Sequence, residues 1–140
     1  MNLIPKPQKR LFDWLALAKE NLLSARSSLN VDFLPYRTIC LLSQESAQKY
    51  LKAYLLSRGW ALEKTDNPRK LLEYTFCYEP SFNALISAVN ILAEYSLDEF
   101  YPGASNFENV GKNEAKEAIE AADKVEHFIL EKLKNFDESA

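Results

Sequence analysis

Apolar residues recur near the start of the chain in a strict helical rhythm. Leu11, Leu15, Ala18, Leu22, Ala25 and Leu29 follow one another at intervals of 4, 3, 4, 3 and 4, which is one stripe of an amphipathic helix. The run "SLNVDFLP" ends that rhythm, with Pro35 starting the next element. A second helix is predicted from about Tyr36 to Arg58. Ile39, Ser43, Ala47, Tyr50 and Tyr54 line one side, and Cys40, Leu51 and Leu55 widen it into a face buried on two sides. Gly59 stands where a left-handed cap is wanted.

The following connector leads to a short helix, capped by Asp66 or Asn67, begun by Pro68 and ended by Pro80. A fourth helix is predicted from near Ser81 to about Phe100, with Leu85, Val89, Leu92 and Ser96 inward and Pro102-Gly103 as its stop. The polar loop "ASNFENVGKNE" precedes a last helix beginning at Asn113. Ala115, Ala118, Ala122, Val125, Ile129 and Leu133 give that helix a narrow Ala-rich stripe, which lets a neighbour approach closely. No strand-like alternation of useful length and no internal repeat occur. The expectation is an all-α, antiparallel up-and-down bundle of four long helices plus one short helix. It forms a single domain over residues 1–140, with roughly the first eight and last five residues loose.

Composition narrows the class further. At 140 residues, 47% hydrophobic and 26% charged, the chain can bury a real core as one soluble domain. The start, "MNLIPKPQKR", lacks the apolar core of a secretory signal. No stretch reaches the ~18 apolar residues of a membrane span. Cys40 and Cys77 both sit among apolar neighbours and read as two buried thiols of a reducing compartment. The expectation is a cytoplasmic protein. Net charge is −3, unevenly spread: residues 36–73 carry seven basic against four acidic residues, and residues 74–111 carry five acids with no Lys or Arg. An anion site would therefore draw on the first of these segments. A basic stripe of the kind that grips nucleic acid is not visible.

Candidate chemistry is sparse. The lone histidine, His127, lies in an ordinary helix and reads as structural, on the surface or half-buried. Paired Glu-x-x-His motifs are missing, and the three glycines form no phosphate loop, so neither a metal nor another cofactor is expected. The polar side of the second helix, "SQESAQKYLKAYL", leaves two readings open. Gln44 and Gln48 share a face, as do Glu45 and Lys49, while Lys49 and Lys52 are neighbours at i, i+3. They form either a solvated face with one i, i+4 ion pair, or a shallow anion site in which Lys49, Lys52 and Lys64 meet phosphate. Most of the aromatic residues read as core rings; Tyr101, beside Pro102 and Gly103, is the one best placed to meet a ligand.

These residues together resemble the HEPN family, the helical "higher eukaryotes and prokaryotes nucleotide-binding" domain. Its second helix carries a run close to Gln-Gln-Ala-Ala-Glu-Lys-Ala-Leu-Lys-Ala-Leu-Leu. Gln44, Ala47, Lys49, Leu51, Lys52, Ala53, Leu55 and Leu56 fall on it in register, with Glu45 and Gln48 exchanged. Gly59, Lys64, Thr65 and "KLL" match the next motif, but Asp66, Asn67 and Pro68 replace its His-Asp-Leu. Tyr95 and the Phe100-Tyr101-Pro102-Gly103 run match a later one without its arginine and acid. Many members resemble metal-independent endoribonucleases that use Arg-x4-6-His across a dimer interface. Here the nearest arginine before His127 is Arg69, so that chemistry is not expected. The resemblance instead implies a non-catalytic nucleotide-binding or interaction module. It would be a homodimer paired with a nucleotidyltransferase-type partner in a prokaryotic toxin–antitoxin-like system, with Gln44, Lys49, Lys52, Lys64 and Tyr101 as its candidate ligand residues. RNA is the less favoured ligand. A degenerate endoribonuclease toxin and a ligand-free helical scaffold are the alternatives.

Overall fold

The computed structural model describes residues 7–29, 35–61, 64–65, 67–95 and 110–136. Tyr101, the Pro102-Gly103 stop and Asp66 lie outside them. Among the described residues every regular element is helical. α1 (Pro7–Ser28), α2 (Tyr36–Ser57) and α5 (Lys112–Leu133) are 22 residues each; α3 (Pro68–Phe76) has 9 residues and α4 (Ile86–Ala93) has 8. α1 begins earlier than its apolar stripe, at Pro7, where the missing N–H costs nothing.

The predicted long fourth helix is not continuous. Residues Pro80–Leu85 form a 3-10 segment that leads into α4, whose last residue is Ala93. Phe82 and Leu85 of this segment are fully buried, and Phe82 packs on Tyr54 of α2 and on Phe128. The α-helical rhythm resumes with Val89 and Leu92, also buried.

The termini of the elements follow local chemistry. Asn67 caps α3 by accepting the Arg69 backbone N–H at 3.0 Å. Gly59 takes φ +84°, and its N–H donates to Leu56 O at 3.1 Å, closing α2. At the start of α5 the Gly111 N–H donates to the Glu114 carboxylate at 2.8 Å.

α2 is the central element, packed against α1, α3, α4 and α5. Tyr50, Leu51 and Leu55 are fully buried. Ala115, Ala118 and Ala122 of α5 are all inaccessible, in keeping with the close approach their size allows. Tyr54, Phe82 and Phe128 stack in sequence, with ring centroids 4.4 and 4.9 Å apart, and join α2, the 3-10 segment and α5. α1 runs antiparallel to α2: Trp14 meets Lys52, whereas Asn21, further along α1, meets Lys49, earlier on α2.

Cys40 is buried, but Cys77 is exposed, contrary to the expectation of two buried thiols. Cys77 follows the last residue of α3 and caps it, so its side chain leaves the core with the turning chain. No helix among the described residues is long and apolar enough to cross a membrane.

Candidate functional site

The polar side of α2 faces neither solvent nor an open site: most of it is buried. Gln44, Gln48 and Lys52 are 3, 7 and 5% exposed, and Ser43 and Ser46 are inaccessible. α1 covers much of this side. The Ser46 hydroxyl donates to Ala18 O at 2.7 Å, and Lys49 Nζ donates to Asn21 Oδ1 at 2.5 Å. Lys52 Nζ sits 4.9 Å from the centre of the Trp14 ring, a cation–π contact that also packs its methylenes. The expected i, i+4 pair forms loosely, with Lys49 Nζ 3.9 Å from Glu45. The anchor points of Lys49 and Lys52 are seven residues apart on α1, about 10 Å along its axis. Lys64 is exposed in the connector.

A second polar constellation lies between α1, α2 and α5. The Tyr50 hydroxyl donates to Glu126 Oε2 at 2.5 Å. Arg26 pairs with Asp123 and lies 3.5 Å from Glu126 Oε1. Burial raises the Tyr50 phenol above its ordinary range, and the hydrogen bond to Glu126 raises it further. The phenol therefore stays protonated and keeps donating. Glu126 is itself 9% exposed, and Tyr50 and Arg26 supply the polar partners that a buried carboxylate needs.

This constellation floors an open groove of about 300 Å³. Leu15 and Ala16 of α1 form one wall and Leu130 of α5 the other, with Lys19 at the edge. Apolar walls with a few convergent polar groups are the usual make-up of a small-molecule site. None of these residues was singled out as a ligand residue in the sequence. The readable signal was Glu126 itself, a carboxylate set between Ala122 and Ile129 in the inward stripe of α5, which demands a buried partner.

His127 is exposed on α5, with Nδ1 3.0 Å from Asp123 O. A carbonyl only accepts, so Nδ1 carries the hydrogen and Nε2 is the basic nitrogen. Asp123 thus takes Arg26 on its carboxylate and His127 on its carbonyl. Among the described residues no group of three or more His, Cys, Asp or Glu is placed to hold a metal ion.

Comparison with known proteins gives one family. The model of the HEPN domain matches residues 12–133. The crystal structure of TT1696 from Thermus thermophilus superposes with a TM-score of 0.72 at 28% identity, covering 89% of this chain and 98% of that one. The structure of ST0689, an archaeal HEPN homologue, gives a TM-score of 0.70 at 21% identity over 88% of this chain and 97% of that one, a likeness of fold. No curated protein matches the chain.

Proposed function

The chain belongs to the HEPN domain family, and from that premise we propose that it is a nucleotide-binding and interaction module rather than a nuclease. In this reading it is a homodimer that works with a nucleotidyltransferase-type partner in a toxin–antitoxin-like pair. One observation carries the ligand half of the proposal: the groove between α1 and α5 combines apolar walls with a buried, hydrogen-bonded carboxylate, the Arg26 guanidinium beside it and Lys19 at the edge. Of the candidate ligand residues, the part-exposed Lys49 of α2 and the exposed Lys64 of the connector are the members a ligand can reach, while Gln44 and Lys52 of α2 are held inside. Tyr101 stays a candidate through the family register alone.

The test is thermal unfolding with and without ATP in metal-free buffer, together with co-purification of a nucleotidyltransferase encoded beside this chain. Nucleotide-dependent stabilisation and a stable complex are expected. Failure of both leaves a helical scaffold.

A second reading has its own observation. Asp123 is contacted by both Arg26 and His127, so a cation and a basic nitrogen lie on one residue of α5. Such a pair is able to shuttle a 2′-hydroxyl proton and stabilise a phosphorane-like charge. Metal-free cleavage of RNA by the purified protein, abolished in His127→Ala, would establish that reading; intact RNA rejects it.

A further inference from the structure

We infer that a second copy of this chain docks along α1, antiparallel to it, on the outward strip formed by Phe12, Ala16, Lys19 and Leu23. The inference rests on the homodimer of the reading above and adds its face and its register.

α1 carries two stripes. The inward one, Leu11, Leu15, Ala18 and Leu22, packs into the bundle. The second runs one residue behind it. Phe12, Ala16, Lys19 and Leu23 follow at intervals of 4, 3 and 4 and so share one side of the helix. All four are exposed, Phe12 at 39% and Leu23 at 47%. Across the groove, Leu130 of α5 is 44% exposed and extends the apolar surface. Single exposed apolar side chains need no explanation, but a strip of them beside an open groove marks an interaction surface.

The spacing of this strip points to a second copy as its occupant, because it reads the same from either end. An antiparallel copy meets it in register about a two-fold axis between Ala16 and Lys19. Phe12 then faces the partner's Leu23, and Ala16 faces the partner's Lys19. A parallel copy would set the two Lys19 ammoniums against each other. Charge favours the antiparallel arrangement further. Asp13 and Glu20 flank Ala16 at i−3 and i+4, and they and Lys19 are exposed without an ion pair among the described residues. The partner's Lys19 lays its methylenes on the small Ala16 and brings its ammonium to these two acids. The area suffices as well. α1 and α5 are 22 residues each, about 33 Å long and together about 20 Å wide. That face of roughly 600 Å² in projection approaches the ~800 Å² per partner of a standard interface.

Sedimentation velocity of the full chain tests the face. The unaltered protein should be a dimer. Phe12→Asp and Leu23→Asp should each weaken it at least about a hundredfold, since the two-fold axis counts every substitution twice. Both positions are exposed, so the helical circular dichroism should not change. Leu17→Asp is the control: Leu17 is as exposed but lies on another side of α1, and the dimer should survive its loss.

Disulfide trapping tests the register. In a Cys77→Ser background, Phe12→Cys together with Leu23→Cys should cross-link two copies under mild oxidation, and Leu23→Cys alone should not. The two positions are about 16 Å apart along α1, too far to bridge within one copy. Efficient cross-linking through Leu23→Cys alone means parallel pairing and overturns the inference. So does a dimer that tolerates both aspartates, or one that Leu17→Asp weakens equally; either leaves the homodimer reading standing on another face. A chain that stays monomeric throughout removes the inference and the homodimer together.

Discussion

At the scale of single residues, environment separates groups that look alike in the sequence. Cys40 and Cys77 both sit among apolar neighbours, yet burial, with the charges of Glu114 and Glu117, pushes the Cys40 thiol up to about 12. Only the thiolate reacts, so Cys40 is inert at neutral pH on both access and ionisation. Iodoacetamide at pH 8 should label Cys77 quantitatively and leave Cys40 untouched until the protein unfolds, as read by peptide mass mapping. Glu79 shows the opposite effect. Its hydrogen bond from Lys132, 2.7 Å away, holds its carboxyl below the ordinary 4.5, aided by the Ser81 hydroxyl. A depressed carboxyl contributes stability above its unfolded pKa and loses it as pH falls through the folded value. The Tm difference between the unaltered protein and Lys132→Met should therefore be present at pH 7 and vanish in strong acid. Both partners are partly exposed, so the contribution at pH 7 stays under about 1 kcal/mol.

At the scale of elements, the boundaries set by backbone chemistry were the legible ones. Gly59 and the Asn67-Pro68 pair announce a stop and a start because φ > 0 and a side-chain cap have few alternatives in residue type. Gly59→Ala meets open space around the new Cβ, so its cost is conformational alone, about 1–2 kcal/mol. Asn67→Ala removes the acceptor for the Arg69 N–H and should cost about 1 kcal/mol. Urea denaturation of each variant measures both, with the midpoint falling and the slope unchanged. The 3-10 segment was not legible. Phe82 and Leu85 three residues apart fit either helix type, and the choice between them falls to the packing of Phe82 on Tyr54 and Phe128.

At the scale of the whole molecule, the all-α architecture was readable because each amphipathic stripe reports its own buried side. The candidate site was not, because a stripe says nothing of which neighbour covers it. Spacing alone cannot distinguish a solvated polar face of α2 from a face closed by α1, and the second arrangement is the one that forms. Family register does not resolve it either, since Lys49 and Lys52 keep their positions whether they hold a ligand or a helix.

The distinction has a direct consequence for Lys52. At 5% exposure, with Nζ 4.9 Å from the Trp14 ring, its stem packs between helices and its charge lies on an aromatic face. Lys52→Ala should therefore lower stability by about 1–3 kcal/mol with no ligand present. Lys52→Met keeps the stem and loses only the charge, so it should cost less than Lys52→Ala. Thermal unfolding of the two variants separates the contributions: equal losses would make the ammonium–indole contact the larger part, and a small loss in Met alone would make it the packing. Either way, loss of nucleotide stabilisation in Lys52→Ala has to be measured against this lower baseline. Lys52→Met is the sounder probe of a ligand role, because it changes the charge while disturbing the α1–α2 seam least.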